Sequence, residues 1–131
     1  MIFEKGLYSW LQKNFIPDLE LCSVKTSRYD CYSTHYKLDI ELKCRRTHYD
    51  ELIIEKGKYD ALMSRCKKHG TTPVYINSTP KGIWAFYIAK IDIKWENRLL
   101  PKETDFSDNT FINKKIGYLP VSMGIKLSDM V

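Results

Sequence analysis

The sequence predicts an α/β (α+β) fold in which a mixed sheet is flanked by helices. Three observations predict it. Two segments, 3–15 and 58–70, carry apolar residues at helical spacing; the segment between them, 36–45, alternates strictly; and two strand-like runs follow the second helix.

The first helix is expected over Phe3–Asn14, where Phe3, Leu7, Trp10 and Leu11 share one face, and Pro17 and Asp18 end it. Leu19–Val24 reads as a short strand, and a second brief strand spans Tyr29–Tyr32, with a turn at Ser33, Thr34 and His35. The next strand is the cleanest element. Tyr36, Leu38, Ile40, Leu42 and Cys44 alternate with Lys37, Asp39, Glu41, Lys43 and Arg45, one apolar face against one charged face. Residues 46–57 read as a connector. From Lys58 to His69, Tyr59, Leu62, Met63 and Cys66 form an i, i+3, i+4, i+7 stripe. Lys67, Lys68 and His69 complement the negative helix end, and Gly70 supplies a left-handed stop. Strands follow at Pro73–Asn77 and Ile83–Ile91, joined by a turn at 78–82. Residues 95–131 are expected to be loops with one strand near Ile116–Leu119. They are too few to bury a core of their own, so the 131 residues are read as one domain.

Composition narrows the function. Hydrophobic residues are 44% and aromatics 13%, which excludes a disordered chain, and no apolar run is long enough to span a bilayer. The N-terminus is charged within its first five residues and is read as mature protein. Cys22, Cys31, Cys44 and Cys66 have no CxxC spacing, which points to free thiols in a reducing, cytoplasmic compartment. Lys and Arg total 21 against 16 acids, a net +5 that permits a polyanionic partner. Cys44, His48, Cys66 and His69 fit no zinc pattern, His35 has no nucleophile beside it, and there is no phosphate-cradling glycine loop.

The chemistry lies around the charged strand. Glu41 and Lys43, two apart, leave the same face. A hairpin would bring Asp30 beside Glu41, and two converging carboxylates suit Mg²⁺ or Mn²⁺. Lys43 would then stand next to the metal, to orient or deprotonate a water or to balance charge on a phosphate. Asp39, on the same face, is a rival carboxylate. Arg45, Arg46, Lys67 and Lys68, interleaved with tyrosines, are candidate nucleic-acid contacts, and a later basic pair, Lys114 and Lys115, follows Asn113.

At these residues the sequence resembles the PD-(D/E)XK nuclease superfamily, in particular its small Holliday-junction-resolvase-like or phage-type endonucleases. The resemblance covers residues 3–91 and implies an αβββαβ restriction-endonuclease-like core, with 95–131 as a C-terminal extension. It implies a metal-dependent nuclease that hydrolyses phosphodiester bonds, DNA being the foremost substrate. Asp30 and Glu41 would bind Mg²⁺ or Mn²⁺ together with the backbone carbonyl of Leu42, and Lys43 would be the catalytic lysine. Glu4 on the first helix and Lys58 at the opening of the second would assist. Tyr29 stands where the motif often has proline. Small size and the resemblance together suggest a homodimer, and the Lys-, Ile-, Asn- and Tyr-rich usage suggests a phage or bacterial source. Two other readings stay open. One is a catalytically inactive nuclease-fold protein acting in nucleic-acid binding or assembly. The other is an unrelated α+β interaction domain, in which Asp30 would lie far from Glu41.

Overall fold

The computed structural model describes residues 3–22, 30–101 and 110–131. The chain runs α1 (Glu4–Asn14), β1 (Glu20–Leu21), β2 (Cys31–Ser33), β3 (Leu38–Cys44), β4 (Glu51–Glu55), α2 (Lys56–His69), β5 (Thr72–Thr79), β6 (Gly82–Phe86), β7 (Trp95–Pro101), β8 (Phe111–Pro120) and β9 (Ile125–Lys126). Short 3₁₀ turns follow β6, β8 and β9.

A six-stranded sheet has the order β1-β2-β3-β5-β6-β9. It is mixed, since β3 is antiparallel to β2 and parallel to β5, with α2 in the crossover between them. Strand alternation sorts the core onto its two faces. Ile40 and Leu42 of β3, Val74 and Ile76 of β5, and Ile83 and Ala85 of β6 pack with Leu7 and Leu11 of α1. On the opposite face, Tyr75 of β5 and Trp84 and Phe86 of β6 pack with Leu62 and Cys66 of α2 and with Leu52 and Ile54 of β4. The charged face of β3 is therefore covered by α2 instead of facing water.

The expected elements are found with shifted ends. The α1 stripe buries Leu7 and Leu11, while Phe3 lies outside it at 64% exposure. Of the two short strands expected before β3, the parts at 23–24 and at Tyr29 lie outside the described residues. Asp18 does more than end α1: its carboxylate accepts from the Ser33 hydroxyl at 2.7 Å and the His35 backbone N–H at 3.0 Å, holding the β2–β3 turn. The left-handed stop of α2 is at Gly70, with φ 69°.

Two expectations are corrected. The connector 46–57 contains strand β4, whose apolar Leu52 and Ile54 alternate with Glu51, Ile53 and Glu55. The segment 95–131 is not loop. Strands β7 and β8 pair with each other, and β8 also pairs with β4, from Glu51 opposite Pro120 to Glu55 opposite Ile116, forming a second sheet of order β4-β8-β7. The strand expected near Ile116–Leu119 is the second half of β8, while polar residues interrupt the alternation of β7 and of the first half of β8 and hide them from a periodicity reading. Gly117 permits this sheet to close, since a Cβ there would lie 2.2 Å from the Ile93 side chain.

A carboxylate pair beside a lysine

The β2–β3 ladder pairs Cys31 with Ile40 and Tyr32 with Asp39, so one further step places Asp30 opposite Glu41. Their side chains are hydrogen-bonded to each other. Glu41 is only 12% exposed. Burial first, and then the contact with Asp30, raise its pKa to about 8, against the opposing pull of Lys58 and Arg65. Glu41 therefore holds its proton well above the ordinary carboxylate range, at the place where the two carboxyl groups meet.

Lys43, next on the same face, is largely enclosed. Burial and the charge of Arg45 make its ammonium easier to deprotonate, while Glu4 and Glu55 oppose that. Glu4, in the first turn of α1, also accepts a hydrogen bond from the Cys44 thiol, so it stands at the Lys43 end of the pair. Lys58, in the first turns of α2, approaches Glu41 at 3.8 Å.

Asp39 has a different role from the rival ligand the sequence allowed. It is 1% exposed and saturated by donors: Arg65 Nε at 2.9 Å, His69 Nδ1 at 3.2 Å and the Thr71 hydroxyl at 2.5 Å. Burial works against its charge, but these donors outweigh it and hold its pKa below the ordinary carboxylate range. Anchored by Asp39, Arg65 reaches Asp30 Oδ2 at 3.6 Å. Arg65 was missed in the sequence, although a signal existed: Lys58, Arg65 and His69 are at i, i+7 and i+11, one stripe of α2 facing Lys43, Glu41 and Asp39 of β3.

The proposed nucleic-acid contacts separate. Arg45 turns inward, donating from Nε to Asn77 Oδ1 at 2.8 Å and from Nη2 to the Tyr75 hydroxyl at 3.0 Å and the Ile53 carbonyl, so it ties β4 to β5. Arg46 is exposed. Lys67 and Lys68 lie in the last turn of α2, at the opposite end of that helix from Lys58. Leu42 buries its side chain against α1 while its backbone lies between Glu41 and Lys43. Cys44, His48, Cys66 and His69 do not converge: among the described residues, no three His, Cys, Asp or Glu side chains gather to hold a metal. All four cysteines are free.

The donor set still suits a hard cation. Mg²⁺ is commonly held by one or two carboxylates with water and substrate oxygens completing its shell, and a proton shared between two carboxyl groups marks a place a cation can take. Asp30, Glu41 and the Leu42 carbonyl are the residues that would hold it.

No protein-family model matches the chain, and no curated protein does. Among solved structures, the 1.6 Å structure of Hjc, a Holliday junction resolvase from the archaeal hyperthermophile Archaeoglobus fulgidus, is similar. The likeness covers 98% of this chain and 91% of that chain, with a TM-score of 0.59 and 16% sequence identity. At that identity it speaks for the fold: this chain has the restriction-endonuclease-like fold of the PD-(D/E)XK nucleases. The interaction-domain reading expected Asp30 far from Glu41, whereas the β2–β3 register places them opposite one another. No helix among the described residues is long and apolar enough to cross a membrane.

Proposed function

We propose that this chain is a Mg²⁺- or Mn²⁺-dependent nuclease that hydrolyses phosphodiester bonds in nucleic acid, as a DNA endonuclease. The observation that carries this reading is the half-buried Asp30–Glu41 pair, edged by Lys43 and Lys58, on a resolvase-like fold. The bound cation would supply Lewis-acid polarisation of the phosphoryl oxygen and a more acidic water.

The chain's own residues do the rest. Asp30 and Glu41 would hold the cation, Glu41 yielding its proton to solvent. Lys58, released from Glu41, turns its charge toward the phosphate as negative charge builds there. Lys43, with its proton loosened by burial, accepts a hydrogen bond from the attacking water in its neutral form or stabilises the transition state in its charged form. Glu4 positions Lys43. Arg65, held by Asp39, keeps the Asp30 carboxylate aimed at Glu41.

A homodimer suits two-strand cutting, and Leu99 and Phe111, exposed on one face of the β7–β8 hairpin, offer an apolar surface for it. Equilibrium sedimentation showing only monomer at assay concentrations counts against the dimer. The proposed setting is the cytoplasm of a bacterium or a phage-infected cell.

The test of the activity is cleavage of plasmid and four-way-junction DNA in Mg²⁺ or Mn²⁺. Wild type cuts, and Glu41→Ala and Lys43→Ala fall by at least about 10²-fold. Equal cutting by the variants would falsify the assignment. The second reading, a nuclease fold that binds without cutting, is favoured by one observation: two cations of the chain, Lys58 and Arg65, already lie against the carboxylates. Affinity for DNA with neither cleavage nor calorimetric metal binding at millimolar concentrations decides for it.

A further inference from the structure

Beside the carboxylate pair, and sharing Lys58 with it, a groove of about 430 Å³ runs between the first turns of α2 and strand β8. Its walls are Glu55, Lys56, Gly57, Lys58 and Ala61 on one side and Lys114 and Lys115 on the other. Four of these seven residues are lysines and one is an acid, so the groove carries much of the chain's cationic excess. Lys58 belongs to both the groove and the carboxylate pair, and Glu55 lies close enough to Lys43 to act on its charge.

From this arrangement we infer that the groove is the track for the nucleic-acid strand leaving the scissile phosphate, with Lys56, Lys114 and Lys115 as its backbone contacts. This rests on the reading of the chain as a nuclease and names where its substrate lies. Lys114 now pairs with Glu55 at 2.8 Å, and Lys56 with Asp60 at 2.7 Å. Pairs of partly exposed charges contribute little to stability, so a phosphate replaces the acid partner at small cost. Lys56 is already steered, its ammonium standing 5.1 Å from the centre of the Trp95 ring and 5.5 Å from that of Tyr59. Lys115 is exposed. The track gives the C-terminal segment a purpose. Strand β8 pairs with β4, which leads directly into α2, and that pairing is what brings the second lysine wall to the catalytic face. The candidate contacts at Lys67 and Lys68 lie at the other end of α2 and do not line this groove.

The experiment measures binding of a fluorescein-labelled DNA duplex and four-way junction by anisotropy, in EDTA so that no strand is cut, across a range of salt. Each phosphate contact adds about 0.9 to the slope of log affinity against log salt. The double variant Lys114→Ala/Lys115→Ala loses about two units of slope, the single variant Lys115→Ala loses about one, and Lys115→Arg restores it. Lys13→Ala/Lys90→Ala, exposed lysines outside the groove, leaves the slope unchanged. Lys115→Ala guards against misfolding of the double variant, since an exposed lysine carries no core packing. Wild type that binds DNA with a slope the groove variants do not change overturns the track and leaves the nuclease reading standing. Wild type that binds no nucleic acid at low salt overturns both.

Discussion

Glu41 makes the metal-free protein less stable as the pH rises. In the folded chain its carboxyl is buried against Asp30 and keeps its proton to about pH 8, whereas unfolded it would ionise near 4.5. Between those values the unfolded chain has released a proton that the folded chain still holds, so raising the pH favours unfolding. The stabilisation is complete below about 4.5 and is lost as the pH passes through about 8. At 1.36 kcal/mol per unit the whole displacement corresponds to roughly 4–5 kcal/mol, of which about 4 kcal/mol falls between pH 5 and 9, and Lys43, whose proton burial loosens, trims it to about 2–4 kcal/mol by working in the opposite sense. The assay is urea unfolding in EDTA at pH 5 to 9, followed by tryptophan fluorescence, since Trp84 lies in the core on the α2 face. Glu41→Gln, which is neutral at every pH, should flatten the difference. Saturating Mg²⁺ should reverse it, because the cation takes the place of the proton. A wild-type slope equal to that of Glu41→Gln would refute the argument, because no shared proton would then be held at this pair.

Other perturbations have equally definite outcomes. Lys43→Ala should reduce DNA cleavage by at least about 10²-fold while leaving duplex affinity nearly unchanged, as read from single-turnover kinetics beside anisotropy. Asp39→Ala leaves Arg65 without its buried partner and should lower stability by about 3–5 kcal/mol, measured by chemical denaturation. Arg45→Ala should lose roughly 2–4 kcal/mol of stability because its bonds to Asn77, Tyr75 and Ile53 are internal; a fully stable variant that only binds DNA less well would contradict that role. Gly117→Ala forces a methyl into Ile93 and Trp95 and should cost about 1–3 kcal/mol, visible as a lower Tm.

Where the chain obeys one period, its sequence discloses its structure. The α2 stripe, the Gly70 stop and the β3 alternation from Leu38 to Cys44 lie where pattern places them, while Tyr36 and Lys37, read as part of that strand, belong to the turn before it, Lys37 with φ 55°; the pairing of Asp30 with Glu41 follows from a two-strand register. Pattern misjudged the charged face of β3. Alternation distinguishes the two faces of a strand but does not tell which one is solvated, and here α2 covers the charged face and turns Asp39 into a buried anchor. The role of Arg45 was equally hidden, since its acceptors come from residues 53, 75 and 77, far along the chain. Strands β4, β7 and the first half of β8 escaped, because they are short of apolar alternation or too brief to stand out and are held by pairing with one another. The pair Lys114–Lys115 was legible as a basic cluster, but its place opposite Lys56 and Lys58 follows only from the pairing of β8 with β4.

The central claim is that Asp30 and Glu41 together hold a divalent cation. Titration of the chain with Mn²⁺, following loss of the free-ion signal by electron paramagnetic resonance, tests it most directly. The account predicts saturable binding by wild type that strengthens from pH 6 to 8 as Glu41 yields its proton, and its loss in both Asp30→Asn and Glu41→Gln. Binding that survives both substitutions, or no binding by wild type at millimolar Mn²⁺, would contradict it.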